Sequence, residues 1–596
     1  MDQSASAKRR PAKPRSKAVP HRVRLDLVHS NTEAPPSRPI DLAKRPPSPS
    51  LLHDEDLSTY VAERFVPWRR RGPRRVVYVS CDPERTRRHL VTYGETDPDI
   101  RPVSSAAFDA CLAVEFEETL GWRARELLWR TAPQNSARVR VTVPVASTLT
   151  FLGCFAVFGA STFPLATMHI AAGLASFAFL ALALLRLYAI PRSRSLTGPN
   201  MDSVAEPLHE PYTVLVALYR EAEMVEALIA SLLALDYPVE LLDIKFILEA
   251  DDLETAGALD RLPMPEHFSI LKVPPCEPRT KPKALNFALP LARGTYLTVY
   301  DAEDRPHPNQ LCEAARAFRN GGRKLAYLQA PLNYYNWNEN WLTRQFSLEY
   351  AGFFGILLKA LGRAGLPMPL GGTSNHCRTA ALRAVGGWDP YNVTEDADLG
   401  FRFAAAGYHS GFIEPGTQEE ASLTWRQWLP QRTRWLKGWM QTALVRLRSP
   451  ARFVAATGIS GSFAGFAMLS GFLAAALAFP WTATALAWSI LHLARSEAFG
   501  LGHIVLGPHL AALMFGYAVA FATTAVAALD LKRPGMLVML ASLPLYWAMI
   551  SVAAYRALFQ LIWAPWLWEK TDHGLTTYAA PALTEIATER RYLAAA

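Results

Sequence analysis

Acidic, basic and aromatic residues in the middle of the chain form a pattern that suits chemistry on a phosphorylated substrate. The groups are Asp251-Asp252, Asp301-Ala302-Glu303-Asp304, Thr394-Glu395-Asp396 and, thirty-five residues after Asp396, Gln431-Arg432-Thr433-Arg434-Trp435. Carboxylate oxygens are the ligands that Mg²⁺ prefers, and a single carboxylate can accept a proton from a hydroxyl group. An arginine can pair with phosphate, and a tryptophan offers a flat apolar face.

A parallel α/β sheet is predicted to position these residues. Between residues 207 and 445 the sequence alternates short apolar segments with amphipathic ones, which is typical of that architecture. The predicted strands span 212–218, 244–248 and 294–300, and a helix is predicted from Glu221 to Leu235. The second and third strands lead into Asp251 and Asp301, at the edge where α/β sheets bind ligands.

The order of the motifs resembles that of the family 2 glycosyltransferases, in particular the processive synthases of the cellulose, curdlan and hyaluronan type. The motifs that carry the resemblance are Asp251-Asp252, Asp301-Ala302-Glu303, Gln329-Ala330-Pro331, Gly371-Gly372-Thr373-Ser374, Thr394-Glu395-Asp396 and Gln431 to Trp435. The resemblance implies a GT-A-like, mostly parallel sheet inserted between transmembrane helices. It also implies an inverting, metal-dependent enzyme that polymerises a UDP-sugar, with UDP-glucose favoured, into a β-linked exopolysaccharide.

The resemblance assigns the donor side of the site. Asp301 and Glu303 would hold Mg²⁺ or Mn²⁺; Glu303 stands where the family usually has aspartate, and Asp304 is an alternative ligand. Uridine would be contacted by Asp251 or Asp252. Lys281 or Lys283 would contact the diphosphate or uridine, although a surface lysine is an equally good interpretation of either.

The resemblance also assigns the acceptor side. Asp396 would be the catalytic base, and Thr394 is predicted to cap the helix that carries it. The remaining residues are Gln431 and Arg434, with Arg434 at the diphosphate; Trp435 against the acceptor sugar; and Gly372, Thr373, Ser374 and Glu395 around the acceptor terminus. His376 is predicted to be structural.

Two further predictions concern the helix that carries Gln431 and Trp435. Its residues follow Pro430, a residue favoured at a first helical position. The neighbouring tryptophans Trp425, Trp428 and Trp439 are predicted to anchor an interfacial helix.

The composition favours a membrane protein, because 50% of the residues are hydrophobic and only 19% are charged. A transmembrane hairpin is predicted over 141–190, with apolar stretches at 141–163 and 166–190. After residue 449 the apolar stretches are 453–479, 481–493, 504–529 and 536–561. The second of these is short enough to be re-entrant, so three to four spans are predicted in the region 450–565. Basic residues beside the spans place the 207–445 domain in the cytoplasm, at a bacterial inner membrane.

The two ends of the chain are predicted to be cytoplasmic. Residues 1–50 read as a disordered basic tail without the apolar core of a signal peptide. Residues 51–136 are predicted to form a small domain that resembles the N-terminal domains of type II secretion ATPases, which some bacterial membrane glycosyltransferases carry as a regulatory domain. The arginines between residues 69 and 75 could bind cyclic di-GMP, although a solvated run of charges is the favoured interpretation. In the tail 566–596, Lys570, Thr571 and His573 could close over the nucleotide. Much of the net charge of +9 lies in the N-terminal tail and upstream of the first predicted span, and it is not interpreted as nucleic-acid binding.

Two alternatives to a polymerising synthase stay open. The first is transfer of a single sugar to a polyprenyl phosphate carrier, which needs Asp301 and Asp396 but has less use for a channel. The second is an inactive membrane scaffold that senses a nucleotide, and intact Asp301, Asp396, Arg434 and Trp435 argue against it. For the synthase, the expected partners are the nucleotide-sugar donor, the growing polysaccharide, the bilayer and an accessory export subunit.

Overall fold

The computed structural model describes residues 40–72, 75–139, 143–194, 207–494, 501–570, 574 and 576. The chain divides into two compact units, Met1–Cys111 and Leu112–Ala596. Most of the predicted basic tail and most of the predicted C-terminal tail lie outside the described residues. None of the six cysteines forms a disulfide bond.

The first unit contains a small three-stranded sheet. Strands β1 (Phe65–Arg70) and β2 (Val76–Ser80) are antiparallel, and β3 (Asp99–Pro102) runs parallel to β2. Phe65, Tyr78 and Leu90 form its buried cluster. Two helices follow this sheet along the chain, Ser105–Glu115 and Glu117–Thr131.

A seven-stranded mixed sheet forms the centre of the second unit. Its strands, in chain order, are β4 (Tyr212–Leu218), β5 (Leu242–Glu249), β6 (Phe268–Val273), β7 (Tyr296–Tyr300), β9 (Leu325–Gln329), β11 (Asn375–Arg378) and β12 (His409–Phe412). The spatial order is β12-β9-β11-β7-β4-β5-β6. The sheet is mixed because β11 runs antiparallel to both β7 and β9, while the other neighbours are parallel. The three predicted strands are confirmed, and β4 has the predicted bounds.

A second, smaller sheet lies in the same unit. It contains β8 (Arg305–Pro306), β10 (Leu332–Tyr334) and β13 (Thr417–Glu419), in the order β10-β13-β8. Because β8 follows the acidic turn at Asp301 and β13 ends at Glu419, this sheet brings two separate acidic segments to one place.

Helices cover the sheets and continue into an apolar region. The helices of eight or more residues are Pro83–Thr92, Ser105–Glu115, Glu117–Thr131, Val143–Thr162, Pro164–Arg194, Val225–Leu233, Leu253–Asp260, Lys281–Ala288, Gln310–Asn320, Trp341–Gly352, Glu395–Ala405, Trp425–Arg446, Pro450–Phe466, Phe472–Ala494, Leu501–Leu531 and Leu543–Trp563. We call Glu395–Ala405 the Asp396 helix and Trp425–Arg446 the Trp435 helix. The Trp435 helix begins five residues before Pro430, so the prediction that Pro430 starts it is wrong. Its cap is Thr424, which exchanges hydrogen bonds with Gln427 in a capping box.

Among the residues that the structure describes, four helices are long and apolar enough to cross a membrane. They are Ile170–Arg194, Pro450–Thr484, Gly507–Leu531 and Leu537–Trp563. The apolar part of the first predicted span is the shorter helix Thr150–Thr162. The separate stretch expected at 481–493 is also wrong, because one continuous helix runs from Phe472 to Ala494 with Pro480 inside it.

Candidate active site

The carboxyl ends of the central strands open into a cavity of about 560 Å³. Tyr219 follows β4, Glu249 ends β5 and Asp301 follows β7, and all three line the cavity. This is the edge of the sheet at which the sequence predicts a ligand.

Asp301 and Asp396 approach the same backbone position, Gly372. A Cβ atom added to Gly372 would lie 3.4 Å from Asp396 Oδ2 and 3.9 Å from Asp301 Oδ2. Gln329 holds this segment by accepting a hydrogen bond from the Gly371 backbone N–H at 2.8 Å. Two of the predicted motifs thus face each other across a third.

The side chain of Lys281 lies beside Asp301 and Gly372. Its Nζ donates to Asp301 Oδ1 and, at 2.8 Å, to the carbonyl of Gly372. Burial lowers the pKa of Lys281, but the charges of Asp301 and Glu395 outweigh it and raise the pKa above its usual value. Lys281 therefore stays protonated and can meet a diphosphate.

Glu303 and Asp304 have different environments. Glu303 lines the cavity, and burial together with Asp301 raises its pKa to about 8. Asp304 is 1% exposed and accepts hydrogen bonds from the Asp301 backbone N–H, at 2.7 Å, and from the Thr373 hydroxyl. Of the two candidates left open by the sequence, only Glu303 faces the space in which a ligand would lie.

Among the described residues, no group of three His, Cys, Asp or Glu side chains could hold a metal ion by itself. Asp301 and Glu303 nevertheless offer hard oxygen ligands on the cavity wall. One or two carboxylates suffice when phosphate oxygens complete the coordination. The repulsion that raises the pKa of Glu303 would also be relieved by a cation. These residues therefore fit a Mg²⁺ or Mn²⁺ ion that binds together with a diphosphate.

Asp396 and Glu395 begin the Asp396 helix and both line the cavity. Burial raises the pKa of Asp396. A hydrogen bond from the backbone N–H of Ala397 and the positive charges of Lys281 and Arg434 oppose this and lower the pKa. Burial, followed by the charge of Asp396, raises the pKa of Glu395 to about 8. Thr394 occupies the predicted N-cap position, although its side chain makes no capping hydrogen bond, and Glu395 and Asp396 lie in the first turn.

The Trp435 helix packs closely against the start of the Asp396 helix. A Cβ atom at Gly438 would lie 2.2 Å from Thr394 Oγ1, so only glycine fits there without a shift. Gln441 Oε1 accepts a hydrogen bond from the Val393 backbone N–H at 3.0 Å. These contacts fix the position of Arg434 and Trp435 relative to Asp396.

Arg434 and Trp435 both face the cavity. The Arg434 guanidinium lies over the Trp568 ring, 4.5 Å from its centroid, and burial lowers the pKa of this arginine. Trp435 packs beside Phe346 and Tyr350, with ring centroids 5.8 and 6.1 Å away. Gln431, in the same motif, accepts a hydrogen bond from Ser422 and also lines the cavity.

Several predicted site residues lie outside the cavity lining. Asp251 is exposed and pairs with Arg279 at 2.9 Å, and Asp252 accepts hydrogen bonds from the backbone N–H groups of Arg220 and Thr255. Lys283 is fully buried against Glu249 at 2.5 Å. All three side chains are engaged in contacts with other groups of the protein.

The segment Gly371-Gly372-Thr373-Ser374, which we call the acceptor loop after its predicted role, also lies only partly in the cavity lining. Gly372 and Thr373 line the cavity, whereas Ser374 is buried, with its hydroxyl 2.6 Å from that of Thr417. His376 is fully buried, its Nδ1 lies 2.7 Å from the Tyr212 hydroxyl, and burial lowers its pKa to about 3. Its predicted structural role agrees with this placement.

The tryptophan anchors are only partly as predicted. Trp428 is 0% exposed and packs on Tyr546, so the interfacial prediction for it is wrong. Trp439 lines the cavity and contacts Phe353 and Phe472. Trp425 is 39% exposed and is compatible with an anchor.

Sequence reasoning missed other charged residues of the cavity. Glu419 lines it, and burial together with Asp304 and Glu303 raises the pKa of Glu419 well above its usual value. Arg432 forms a bidentate pair with Glu349, with N–O distances of 2.8 and 2.5 Å. Arg432 lies inside a recognised motif, but Glu349 and Glu419 carry no local signal.

The cavity continues from the carboxylates into the apolar helices. Residues of all four candidate spans line it, among them Phe179, Arg186, Phe472, Phe479, Tyr517, Thr523, Tyr546 and Trp547. A chain of aromatic contacts connects the two regions, since Tyr350 packs on Phe354, Phe354 on Phe353, and Phe353 on Phe472. One cavity therefore combines a charged end with an aromatic end.

The family model named glycosyl transferase family group 2 matches residues 296–568. The chain carries a family 2 glycosyltransferase domain. The match begins at β7 and includes the acidic turn, the acceptor loop, the Asp396 helix and the Trp435 helix. The match covers part of the mixed seven-stranded sheet, and among the described residues four apolar helices long enough to cross a membrane accompany it.

Two curated relatives of this glycosyltransferase domain have different products in their names. A beta-monoglucosyldiacylglycerol synthase from Trichormus variabilis is 28% identical over 238 residues, or 39% of this chain and 49% of the relative. A poly-beta-1,6-N-acetyl-D-glucosamine synthase from Staphylococcus aureus is 26% identical over 238 residues, or 38% of this chain and 54% of the relative. The chain thus spans about half the length of each relative.

A solved structure of a mannosyltransferase from Pyrobaculum calidifontis, in complex with GDP-Man and Mn2+, is 18% identical. The alignment covers 66% of this chain and 99% of that chain, with a TM-score of 0.43. This likeness is too low to carry over a ligand.

Proposed function

We propose that this protein is an inverting glycosyltransferase that extends a β-glucan, using UDP-glucose as donor and the end of the growing chain as acceptor. The observation that supports this best is the single cavity that runs from Asp301 and Asp396 into the aromatic side chains of the candidate spans. A polymer that is extended beside Asp396 would pass into the aromatic end of the cavity, where its sugars could stack on the rings. An enzyme acting on a soluble acceptor has no need of that extension.

In the proposed reaction, Asp396 takes the proton from the acceptor hydroxyl. The resulting oxygen attacks the anomeric carbon of the donor as the bond to the diphosphate oxygen breaks. Attack opposite to the leaving group inverts the configuration, so an α-linked donor gives a β-linked product. The nucleoside diphosphate leaves with the bonding electrons.

Two cationic side chains would stabilise the negative charge of the departing diphosphate. Lys281 and Arg434 both lie close enough to the acidic pair to influence the pKa of Asp396. Asp301 and Glu303 would hold a Mg²⁺ or Mn²⁺ ion, which would neutralise the diphosphate when bound. Trp435 would bind the acceptor sugar, and Phe346 and Tyr350 pack against the Trp435 ring and hold it in position.

The proposal places the four candidate spans in a bacterial inner membrane with the catalytic domain on the cytoplasmic side. Arg192 and Arg194 end one candidate span and Lys532 follows another, as the positive-inside rule requires for cytoplasmic ends. An accessory export subunit and control by cyclic di-GMP are further parts of the proposal.

A second candidate, transfer of one sugar to a lipid acceptor such as a polyprenyl phosphate, is favoured by Arg186. This arginine lines the apolar end of the cavity, and no carboxylate among the described residues pairs with it. Its guanidinium lies 5.3 Å from the centroid of the Phe472 ring. A partly buried arginine of this kind suits an anionic acceptor, and the relative from Trichormus variabilis is named for a glycolipid product.

Product analysis separates the two candidates. Purified protein in lipid discs is incubated with Mg²⁺ and radiolabelled UDP-glucose, and polymer is separated from solvent-extractable lipid. The proposal expects high-mass label that a β-glucanase digests and that Arg186→Gln still produces. Label in the organic phase that Arg186→Gln abolishes would instead establish the lipid acceptor.

A further inference from the structure

A second cavity, distinct from the catalytic one, has a volume of about 490 Å³ and is lined by four arginines: Arg383, Arg402, Arg446 and Arg452. It lies between the helix Glu117–Thr131, the far end of the Asp396 helix and the far end of the Trp435 helix. None of the described residues that line it is an aspartate or a glutamate. Its size is within the range of ligand sites, about 300–1,000 Å³.

Arg402 shows that the positive charge is incompletely paired. It is 2% exposed; its Nε donates to Asp398 Oδ2 at 2.6 Å, and its Nη1 donates to the carbonyls of Val385 and Gly387. Its Nη2 is buried and has no hydrogen-bond partner among the described residues. An unsatisfied donor on a buried guanidinium destabilises the protein, because the group has lost its hydrogen bonds to water without replacing them.

Arg446 has the same deficit. Its Nη2 lies 3.5 Å from Asp398 Oδ1 and 3.3 Å from Asn135 Oδ1, and its Nε is buried without a partner among the described residues. Asp398 therefore serves both arginines with one negative charge. The other carboxylate nearby, Asp389, accepts hydrogen bonds from Ser136 and from the Ala137 backbone N–H.

The remaining two arginines extend the positive surface. Arg383 donates to the carbonyls of Leu289 and Ala292, which carry no full charge. Arg452 is exposed and stands at the start of the candidate span Pro450–Thr484. The cavity thus opens beside a helix end at which lipid headgroups would lie if that helix crosses a membrane.

We infer that this basic cavity binds a phosphate group. Guanidinium groups match phosphate oxygens in charge and geometry, and four of them line this cavity without an aspartate or glutamate among its described lining residues. The phosphate could belong to an anionic lipid or to a soluble phosphate compound. Because Arg402 is on the Asp396 helix and Arg446 on the Trp435 helix, the bound phosphate would tie together the two helices that carry the catalytic motifs.

The test uses the full chain, delipidated in a neutral detergent, and calorimetric titration without any sugar donor. The probes are dioctanoyl phosphatidic acid, pyrophosphate and, as the phosphate-free control, dioctanoylglycerol. The variants are Arg446→Gln and Arg452→Gln. Arg130→Gln is the matched control, because Arg130 is an exposed arginine on the neighbouring helix and does not line the cavity.

Wild type and Arg130→Gln are expected to bind a phosphate probe, and each cavity variant is expected to bind it about tenfold more weakly, the loss of one charge-assisted contact. Tight binding of phosphatidic acid alone identifies a lipid headgroup, whereas equal binding of pyrophosphate identifies a soluble phosphate. Equal affinity in all four proteins, no binding to wild type, or equally tight binding of dioctanoylglycerol would overturn the inference. Arg452→Gln carries the test if Arg446→Gln does not fold, since Arg452 is exposed.

Discussion

Gly438 and Thr394 are packed so closely that a methyl group at position 438 would lie 2.2 Å from the threonine hydroxyl oxygen. This contact joins the helix of Arg434 and Trp435 to the segment that begins the Asp396 helix. The proposed catalytic base and the residues proposed to contact donor and acceptor are therefore positioned by the same helix–helix contact.

Gly438→Ala should separate the two helices and reduce both stability and activity. Overpacking of this kind costs about 1–3 kcal/mol, so a lower thermal unfolding midpoint and at least a tenfold lower kcat are expected. Gly257→Ala is the control, because Gly257 is helical and nothing lies within 4 Å of the added Cβ. A Gly438→Ala enzyme with normal kcat would show that the approach does not position the site.

Gly372→Ala should reduce activity without reducing stability. The added Cβ would lie 3.4 Å from Asp396 Oδ2, an ordinary contact, but it would occupy the space between the two carboxylates. We expect kcat/KM to fall roughly 100-fold, the cost of a displacement of about 1 Å at a reacting centre. Thermal unfolding and kcat/KM are measured on the same preparation, and unchanged kcat/KM would mean that substrate does not enter this space.

Glu303→Gln and Asp304→Asn should differ in their metal dependence. Only Glu303 faces the cavity, whereas Asp304 accepts hydrogen bonds inside the protein. The Mn²⁺ concentration for half-maximal activity should rise roughly tenfold in Glu303→Gln, since one hard ligand is lost. In Asp304→Asn that concentration should stay near the wild-type value while thermal stability falls. If instead that Mn²⁺ concentration rises in Asp304→Asn and not in Glu303→Gln, the metal ligand is Asp304.

The pH dependence should reveal the buried base. Burial raises the pKa of Asp396, and a base must be ionised, so kcat/KM should fall with decreasing pH at a higher pH than for an exposed aspartate. Arg434 lowers the pKa of Asp396, and Arg434→Gln should therefore move this acidic limb to higher pH. Arg426→Gln, which changes an exposed arginine on the same helix, should leave the limb in place. An acidic limb that does not move in Arg434→Gln would separate Arg434 from the base.

Strands with a clear apolar pattern were predictable from the sequence, and so was the edge of the sheet that carries Asp301. The bounds of β4 agree because Tyr212–Leu218 is a continuous apolar run that is almost fully buried. The placement of Asp396, Arg434 and Trp435 in one cavity with Asp301 also agrees with the order of their motifs.

Residues whose position depends on distant packing were not predictable. Trp428 is buried because the apolar helix Leu543–Trp563 supplies Tyr546 as its neighbour, more than a hundred residues later in the chain. Asp252 caps a local helix, so its carboxylate is used within the protein in a way that a motif does not reveal. Glu419 reaches the site through the small sheet, which has no distinct pattern in the sequence.

The most direct test of the proposed activity is transfer of radiolabel from nucleotide sugars by wild type and Asp396→Asn, with Asp260→Asn as the control, because Asp260 is exposed and does not line the cavity. We expect wild type and the control to incorporate label and Asp396→Asn to be slower by about 100- to 10,000-fold, the usual contribution of a general base, with UDP binding retained. Equal rates in Asp396→Asn and wild type, or no transfer by wild type from any nucleotide sugar, would contradict the proposed mechanism.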